Sequence, residues 1–223
     1  MPEKILVGLV EDQYLFREGM KAILNTWPDI EVIFESPEGY SVPEKLSNAV
    51  QIPDVMLVDL SLPPNGKTEF SGLHVTQYLT EAFPQMKIII LSVHDDENFI
   101  NQLIECGAHG YLVKDCNPQE VHEAIVSAYT RGTYINEKTL KAIQHNMGRK
   151  PSQKKISAEL TNREEEILRL VCQQYTAEEI ADQLFISVKT VNGHRNNLLL
   201  KTGSRNVTGL VLFAVRNNII TVV

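Results

Sequence analysis

Residues 1–131 alternate between two patterns. Short apolar runs, rich in branched side chains, occur at Lys4-Ile5-Leu6-Val7-Gly8-Leu9-Val10, Glu31-Val32-Ile33-Phe34, Asp54-Val55-Met56-Leu57-Val58-Asp59-Leu60, Lys87-Ile88-Ile89-Ile90-Leu91-Ser92 and Tyr111-Leu112-Val113. Runs without polar alternation read as strands buried on both faces. Between and after them, apolar residues recur at helical spacing over Tyr14–Asn25, Val42–Val50, Leu73–Phe83, Glu97–Cys106 and Pro118–Arg131. Pro28 and Pro84 stop two of these helices, Gly107 ends the fourth and Pro118 opens the fifth. Five strands alternating with five helices predict an α/β fold. We expect a flavodoxin-like, doubly wound, five-stranded parallel sheet of order 2-1-3-4-5.

Beyond residue 131 the pattern changes. Glu137–Asn146 reads as one more helix, and Met147–Lys155 is polar, basic and broken by Gly148 and Pro151. Strand signals then cease. Thr161 with Glu164 forms a capping-box pattern before Asn162–Gln173. Thr176 opens Ala177–Leu184, Ser187 opens Val188–Lys201, and Val207–Arg216 is a fourth helix. The expected organisation is an α/β domain at 1–131, a helix and linker at 132–157, and a small all-α domain at 158–223.

Charge sharpens this division. The 223-residue chain has a net charge of −7, yet no acidic side chain follows Asp182, while Lys189, Arg195, Lys201, Arg205 and Arg216 do. A basic end on an acidic chain points to a polyanion partner for that end. No apolar run is long enough for a membrane span, no signal peptide is evident, and three dispersed cysteines form no metal motif. These features suggest a cytoplasmic protein with free thiols and no membrane partner.

The chemistry sits where strands end. Glu11-Asp12, Asp59, Ser92 and Lys114 each close a predicted strand, and in a parallel sheet those tips converge on one edge. Three crowded carboxylates repel one another, and a divalent cation relieves that cost. An all-oxygen set suits Mg²⁺, which also orients a phosphate donor. Asp59 then reads as a nucleophile forming an acyl phosphate, with the Lys114 ammonium and the Ser92 hydroxyl on the phosphoryl oxygens.

These residues, with the Tyr111-Leu112-Val113-Lys114 run, resemble a two-component response-regulator receiver domain across residues 4–131. The resemblance implies that Asp59 takes phosphate from a partner histidine kinase. It implies that Asp12, Asp59 and the Ser61 carbonyl ligate Mg²⁺, with Glu11 acting largely through water, and that Tyr111 is a switch aromatic coupled to Ser92. Two departures stand out. Asp115 follows Lys114 where many receivers carry a cis proline, and Pro63–Ser71 lengthens the loop after Asp59. That loop can screen the acceptor, shape kinase choice or be a tolerated insertion. His94, two residues after Ser92, reads as a loop histidine or a gate for water.

In the second domain, Ala177–Leu184 and Val188–Lys201 flank a three-residue turn, the spacing of a helix-turn-helix. At helical period, Lys189, Asn192, Gly193 and Asn196 share one face of the second helix, and Val191, His194 and Leu198 the other. The polar face is left for the major groove of double-stranded DNA, where asparagine can read adenine. Thr190, Lys201 and Arg205 are candidate phosphate contacts. Leu160-Thr161-Asn162-Arg163-Glu164, Glu179-Ile180-Ala181, Ile186-Ser187-Val188-Lys189-Thr190-Val191 and His194-Arg195 resemble a LuxR-type DNA-binding domain. Gln174, Ala177 and Glu178 stand where that family commonly has Gly, Asn and Lys. The whole chain thus resembles a response regulator of the NarL/FixJ type. The expectation is a phosphorylation-dependent transcription regulator, a homodimer when phosphorylated or DNA-bound, with no enzymatic role beyond self-phosphorylation from small donors and slow autodephosphorylation. Two alternatives remain: a module whose helical domain docks protein, and an aspartate-based phosphohydrolase, which would want an acid where Ser61 sits.

Overall fold

The computed structural model describes residues 4–64, 71–93, 100, 103–137, 139–141 and 160–220. The strands are β1 (Ile5–Val10), β2 (Ile30–Ser36), β3 (Val55–Asp59), β4 (Lys87–Ser92) and β5 (Gly110–Val113). They form one parallel sheet in the order β2-β1-β3-β4-β5, the order expected from the alternation of runs. Helices α1 (Tyr14–Leu24), α2 (Val42–Ser47), α3 (Gly72–Ala82) and α4 (Pro118–Arg131) accompany them.

Because side chains alternate along a strand, each buried strand feeds two cores. Met56, Val58, Ile88 and Ile90 point to the face covered by α2 and α3, with Val42, Leu46, Val75 and Leu79. Leu57, Ile89, Leu91 and Leu112 point to the other face, under Leu24 of α1 and Val121, Ala124, Ile125 and Ala128 of α4. β3 is buried at every residue, which is why its sequence shows no polar alternation.

Residues 100 and 103–105 are helical, Cys106 of the helix expected at 97–106 already lies in the turn that follows, and the rest of that helix lies outside the described residues. The same holds for His94, for most of the loop after Pro64, for most of the helix expected at 137–146 and for the basic linker. None of the described peptide bonds is cis. The chain does not leave the sheet directly after α4. Tyr134 N donates to the His109 carbonyl at 2.8 Å, and Asn136 Nδ2 reaches the Tyr111 carbonyl at 3.4 Å, so residues 133–136 run beside β5.

The second domain comprises α5 (Asn162–Cys172), α6 (Ala177–Leu184), α7 (Val188–Thr202) and α8 (Val207–Arg216). Thr161 and Thr176 both form capping boxes, with Glu164 and Glu179 respectively, and Ser187 caps α7. Ile167, Leu168, Ile180, Val191, Leu198, Leu210 and Ala214 make its core. α8 is apolar on more than one side, and both sides are used. Leu210 and Ala214 face that core, whereas Val211, Leu212 and Val215 join the core of the α/β domain beside Ile100, Ile104 and Ala108.

Candidate functional site

The four strand tips converge as expected. Asp59, Glu11 and Ser92 are buried, and Asp12 is exposed at the mouth. Lys114 Nζ lies 2.8 Å from Glu11 Oε2 and 3.2 Å from Asp59 Oδ2. Ser61 N donates to Asp59 Oδ1 at 3.2 Å. Oxygen atoms of Glu11, Asp12 and Asp59 all lie within 4.8 Å of one another. Three carboxylates face one ammonium, so the pocket keeps an excess negative charge that a divalent cation would neutralise.

Burial sets the electrostatics. It raises the carboxyl pKa values of Asp59 and Glu11 above the usual range, against the opposing pull of Ser61 N–H on Asp59 and of Lys114 on both. Burial also works against the Lys114 charge, yet its bonds to Glu11 and Asp59 prevail and its pKa is raised. A cation bound here would compete with protons at a higher pH than at an exposed carboxylate cluster.

Several neighbours hold this arrangement that motif reading did not single out. The Phe16 ring lies under the Lys114 ammonium, 4.8 Å from its centroid. Arg17 Nη1 donates to the Glu11 carbonyl at 2.6 Å, and Gln13 N to Glu11 Oε1 at 3.1 Å. Gly72 closes the long loop: its N–H donates to the Leu60 carbonyl at 3.0 Å. A Cβ there would collide with the Asp59 carbonyl oxygen and the Leu60 backbone. Both ends of the loop are therefore pinned against the candidate acceptor. Glycine at a helix start is a weak sequence signal, and its need shows only from this close approach. Tyr111 is buried, at 2 % exposure, within the face packed by α2 and α3.

On α7, the polar face is solvent-facing. Lys189, Thr190, Asn192, Gly193 and Asn196 are exposed, and Val191 and Leu198 are buried beneath them. A Cβ at Gly193 would meet nothing within 4 Å, so no packing inside the protein requires glycine there. The turn between α6 and α7 places Phe185 in the left-handed region at φ 53°, almost fully exposed. Two predicted contacts are engaged elsewhere. Lys201 Nζ pairs with the buried Glu164 carboxylate at 2.7 Å, tying α7 to the capping box of α5. Arg205 lies 3.9 Å from Glu81 of the α/β domain.

Comparison with known proteins agrees with both halves. The model of the response regulator receiver domain matches residues 7–126, and that of the bacterial regulatory proteins of the luxR family matches residues 158–214. The chain belongs to the two-component response regulators of the NarL/FixJ type. The oxygen regulatory protein NreC of Staphylococcus carnosus is 32 % identical over 219 residues, covering 96 % of this chain and 98 % of that one. NreC of Staphylococcus epidermidis is 30 % identical over 220 residues, with 96 % and 98 % covered. In fold, this response regulator is similar to RcsB of Salmonella typhimurium, with a TM-score of 0.57, 21 % identity and 94 % and 97 % of the two chains covered. It therefore pairs a receiver domain with a LuxR-type DNA-binding domain. Among the described residues no helix is long and apolar enough to cross a membrane.

Proposed function

We propose that this response regulator accepts a phosphoryl group on Asp59 from the phosphohistidine of a sensor kinase, and that this acceptance controls duplex binding through α7. The observation that carries the reading is the pocket itself. A buried aspartate lies within 3.2 Å of a lysine and shares its oxygen cluster with Glu11 and Asp12. An Asp59 carboxylate oxygen attacks phosphorus, the phosphorus–nitrogen bond of the donor breaks, and the imidazole leaves. The Lys114 ammonium and the Ser92 hydroxyl hold the phosphoryl oxygens. Asp12, Asp59 and the Ser61 carbonyl would ligate Mg²⁺, with Glu11 acting largely through water. Bound there, the ion would supply positive charge against the charge developing on the transferred group.

Downstream, Ser92 and Tyr111 couple this event to the contacts of α8 with Ile100, Ile104 and Ala108. Loss of those contacts frees the helical domain to act as a homodimer on two half-sites. Lys189, Thr190, Asn192, Gly193 and Asn196 supply the groove face, and Lys201 and Arg205 supply phosphate contacts once their present partners release them. We place the domain limits at 131 and 158. The protein acts in the cytoplasm, as a regulator rather than a turnover enzyme. RcsB of Salmonella enterica serovar Typhimurium has been solved on promoter DNA with a phosphomimetic, at 21 % identity and a TM-score of 0.55.

The test is intact-protein and peptide mass spectrometry after incubation with acetyl phosphate and Mg²⁺, alongside duplex mobility shifts. One phosphoryl group on Asp59 and a tighter duplex complex are expected, and both should vanish in Asp59→Asn. Label on another residue, or an unchanged donor response in Asp59→Asn, would sink the reading.

A further inference from the structure

The helical domain meets the receiver at the N-terminal end of the sheet, far from the acidic pocket. Asn206 Nδ2 donates to the carbonyls of Gly107 at 2.6 Å and Ala108 at 2.8 Å. Thr208 Oγ1 donates to the His109 carbonyl at 3.1 Å. Arg195 Nη2 donates to the Arg131 carbonyl at 3.3 Å. In all three cases the helical domain's side chain grips receiver main chain.

The last of these contacts differs in kind. Arg131 ends α4, so its carbonyl is among those a helix leaves without an internal partner, at the negative end of the dipole. Arg195 caps that helix from the other domain. The approach depends on Gly132, which is left-handed at φ +81°. A Cβ there would lie 2.9 Å from Arg195 Nη2 and 3.1 Å from Val207 Cγ2.

Arg195 also belongs to α7. It follows Asn192 by three residues and precedes Asn196 by one, which sets it on the flank of the exposed polar face. On a helix lying in a groove, flanking cations meet phosphates rather than base edges. A guanidinium binds a phosphate through charge-assisted, often bidentate bonds, stronger than a single bond to a neutral carbonyl.

We propose that Arg195 is a DNA-phosphate ligand held in the closed molecule on the Arg131 carbonyl, so that domain closure and duplex binding compete for one guanidinium. The proposal rests on α7 being the DNA-reading helix. By linkage, duplex DNA then opens the molecule by the same factor that closure weakens duplex binding. Phosphorylation and DNA act on one equilibrium from opposite ends of the sheet.

The test uses the full, unphosphorylated chain. Asn206→Asp keeps the oxygen that accepts from Gly209 N and caps α8, but replaces the donor to Gly107 and Ala108 with an acceptor. It should open the domains, seen as a larger radius of gyration by small-angle scattering, and tighten duplex binding about tenfold. Adding Arg195→Met to that variant should weaken binding again. It should also flatten the dependence of log affinity on log salt by about one, the amount for one lost phosphate contact. An unchanged salt slope overturns the proposal. So does an Asn206→Asp protein that opens yet binds duplex no better. If no variant binds duplex in any state, the reading of α7 falls with it.

Discussion

The two ends of the receiver sheet are built from different materials. At the C-terminal end, Glu11, Asp59 and Lys114 form a buried ionic cluster with contacts of 2.8 and 3.2 Å. At the N-terminal end, burial favours the neutral form of His109, Asn206 and Thr208 donate to main-chain carbonyls, and Val211, Leu212 and Val215 supply apolar contact. β4 joins the two directly, from Lys87 to Ser92. One end is suited to bind and react with a small charged group. The other is suited to hold a domain with modest strength. Under the proposed function, a signal made at the first would be read at the second through that strand and the buried face on which Tyr111 lies.

The ionic end should give the largest effect. Lys114→Met leaves Glu11 and Asp59 buried without their ammonium, a change worth about 3 kcal/mol or more when one partner of a buried pair is removed. The carboxyl pKa values, already raised by burial, rise further. The folded state then holds protons that the unfolded state has lost, so stability falls as pH rises. Urea midpoints of the variant should be lowest at pH 8 and recover toward pH 5, and Mg²⁺ should restore part of the loss at pH 8. A variant as stable as the parent at pH 8 without Mg²⁺ would break the ionic description of this end.

The neutral end should respond to pH with the opposite sign. His109 is fully buried, accepts from Ile88 N through Nδ1 at 3.2 Å, and lies near Lys87. Burial first, and Lys87 second, depress its pKa from 6.5 to about 3. A depressed base means that the unfolded chain gains a proton the folded one refuses. Stability is therefore full above pH 6.5 and is lost as pH falls, by about 2 kcal/mol at pH 5. His109→Asn retains an acceptor and removes the titration, so its urea midpoint should lose this acid-side slope. A parent protein with no loss between pH 7 and pH 5 beyond that of His109→Asn would show that the ring is not held neutral.

The same contrast explains what was legible in the chain. Glu11, Asp12, Asp59, Ser92 and Lys114 are polar residues at the ends of apolar runs, so both their placement and their chemistry were visible. Lys189, Asn192, Gly193 and Asn196 were visible by periodicity, and the structure leaves them exposed. The docking end was not visible, because carbonyls carry no residue identity. Nothing in Gly107-Ala108-His109 announces that Asn206 and Thr208 will grip that turn. Gly72 and Gly132 were hidden for a related reason, since each matters for the backbone or side chain that a Cβ would strike. Lys201 and Arg205 looked like free basic groups because their partners, Glu164 and Glu81, are distant in sequence.

The smallest expected effect belongs to an exposed ion pair at the neutral end. Arg216 Nη2 lies 2.9 Å from Glu105 Oε1, with the carboxylate more than half exposed. An exposed pair of this kind is worth about 0.5 kcal/mol, and salt screens it. Glu105→Gln should therefore leave the scattering radius of the unphosphorylated chain unchanged within error, and raising salt from low to physiological strength should do no more. Loss of the three apolar contacts from α8 has no such screening to limit it. If Glu105→Gln alone opens the domains, charge holds this end after all, and the two ends of the sheet differ less than their residues suggest.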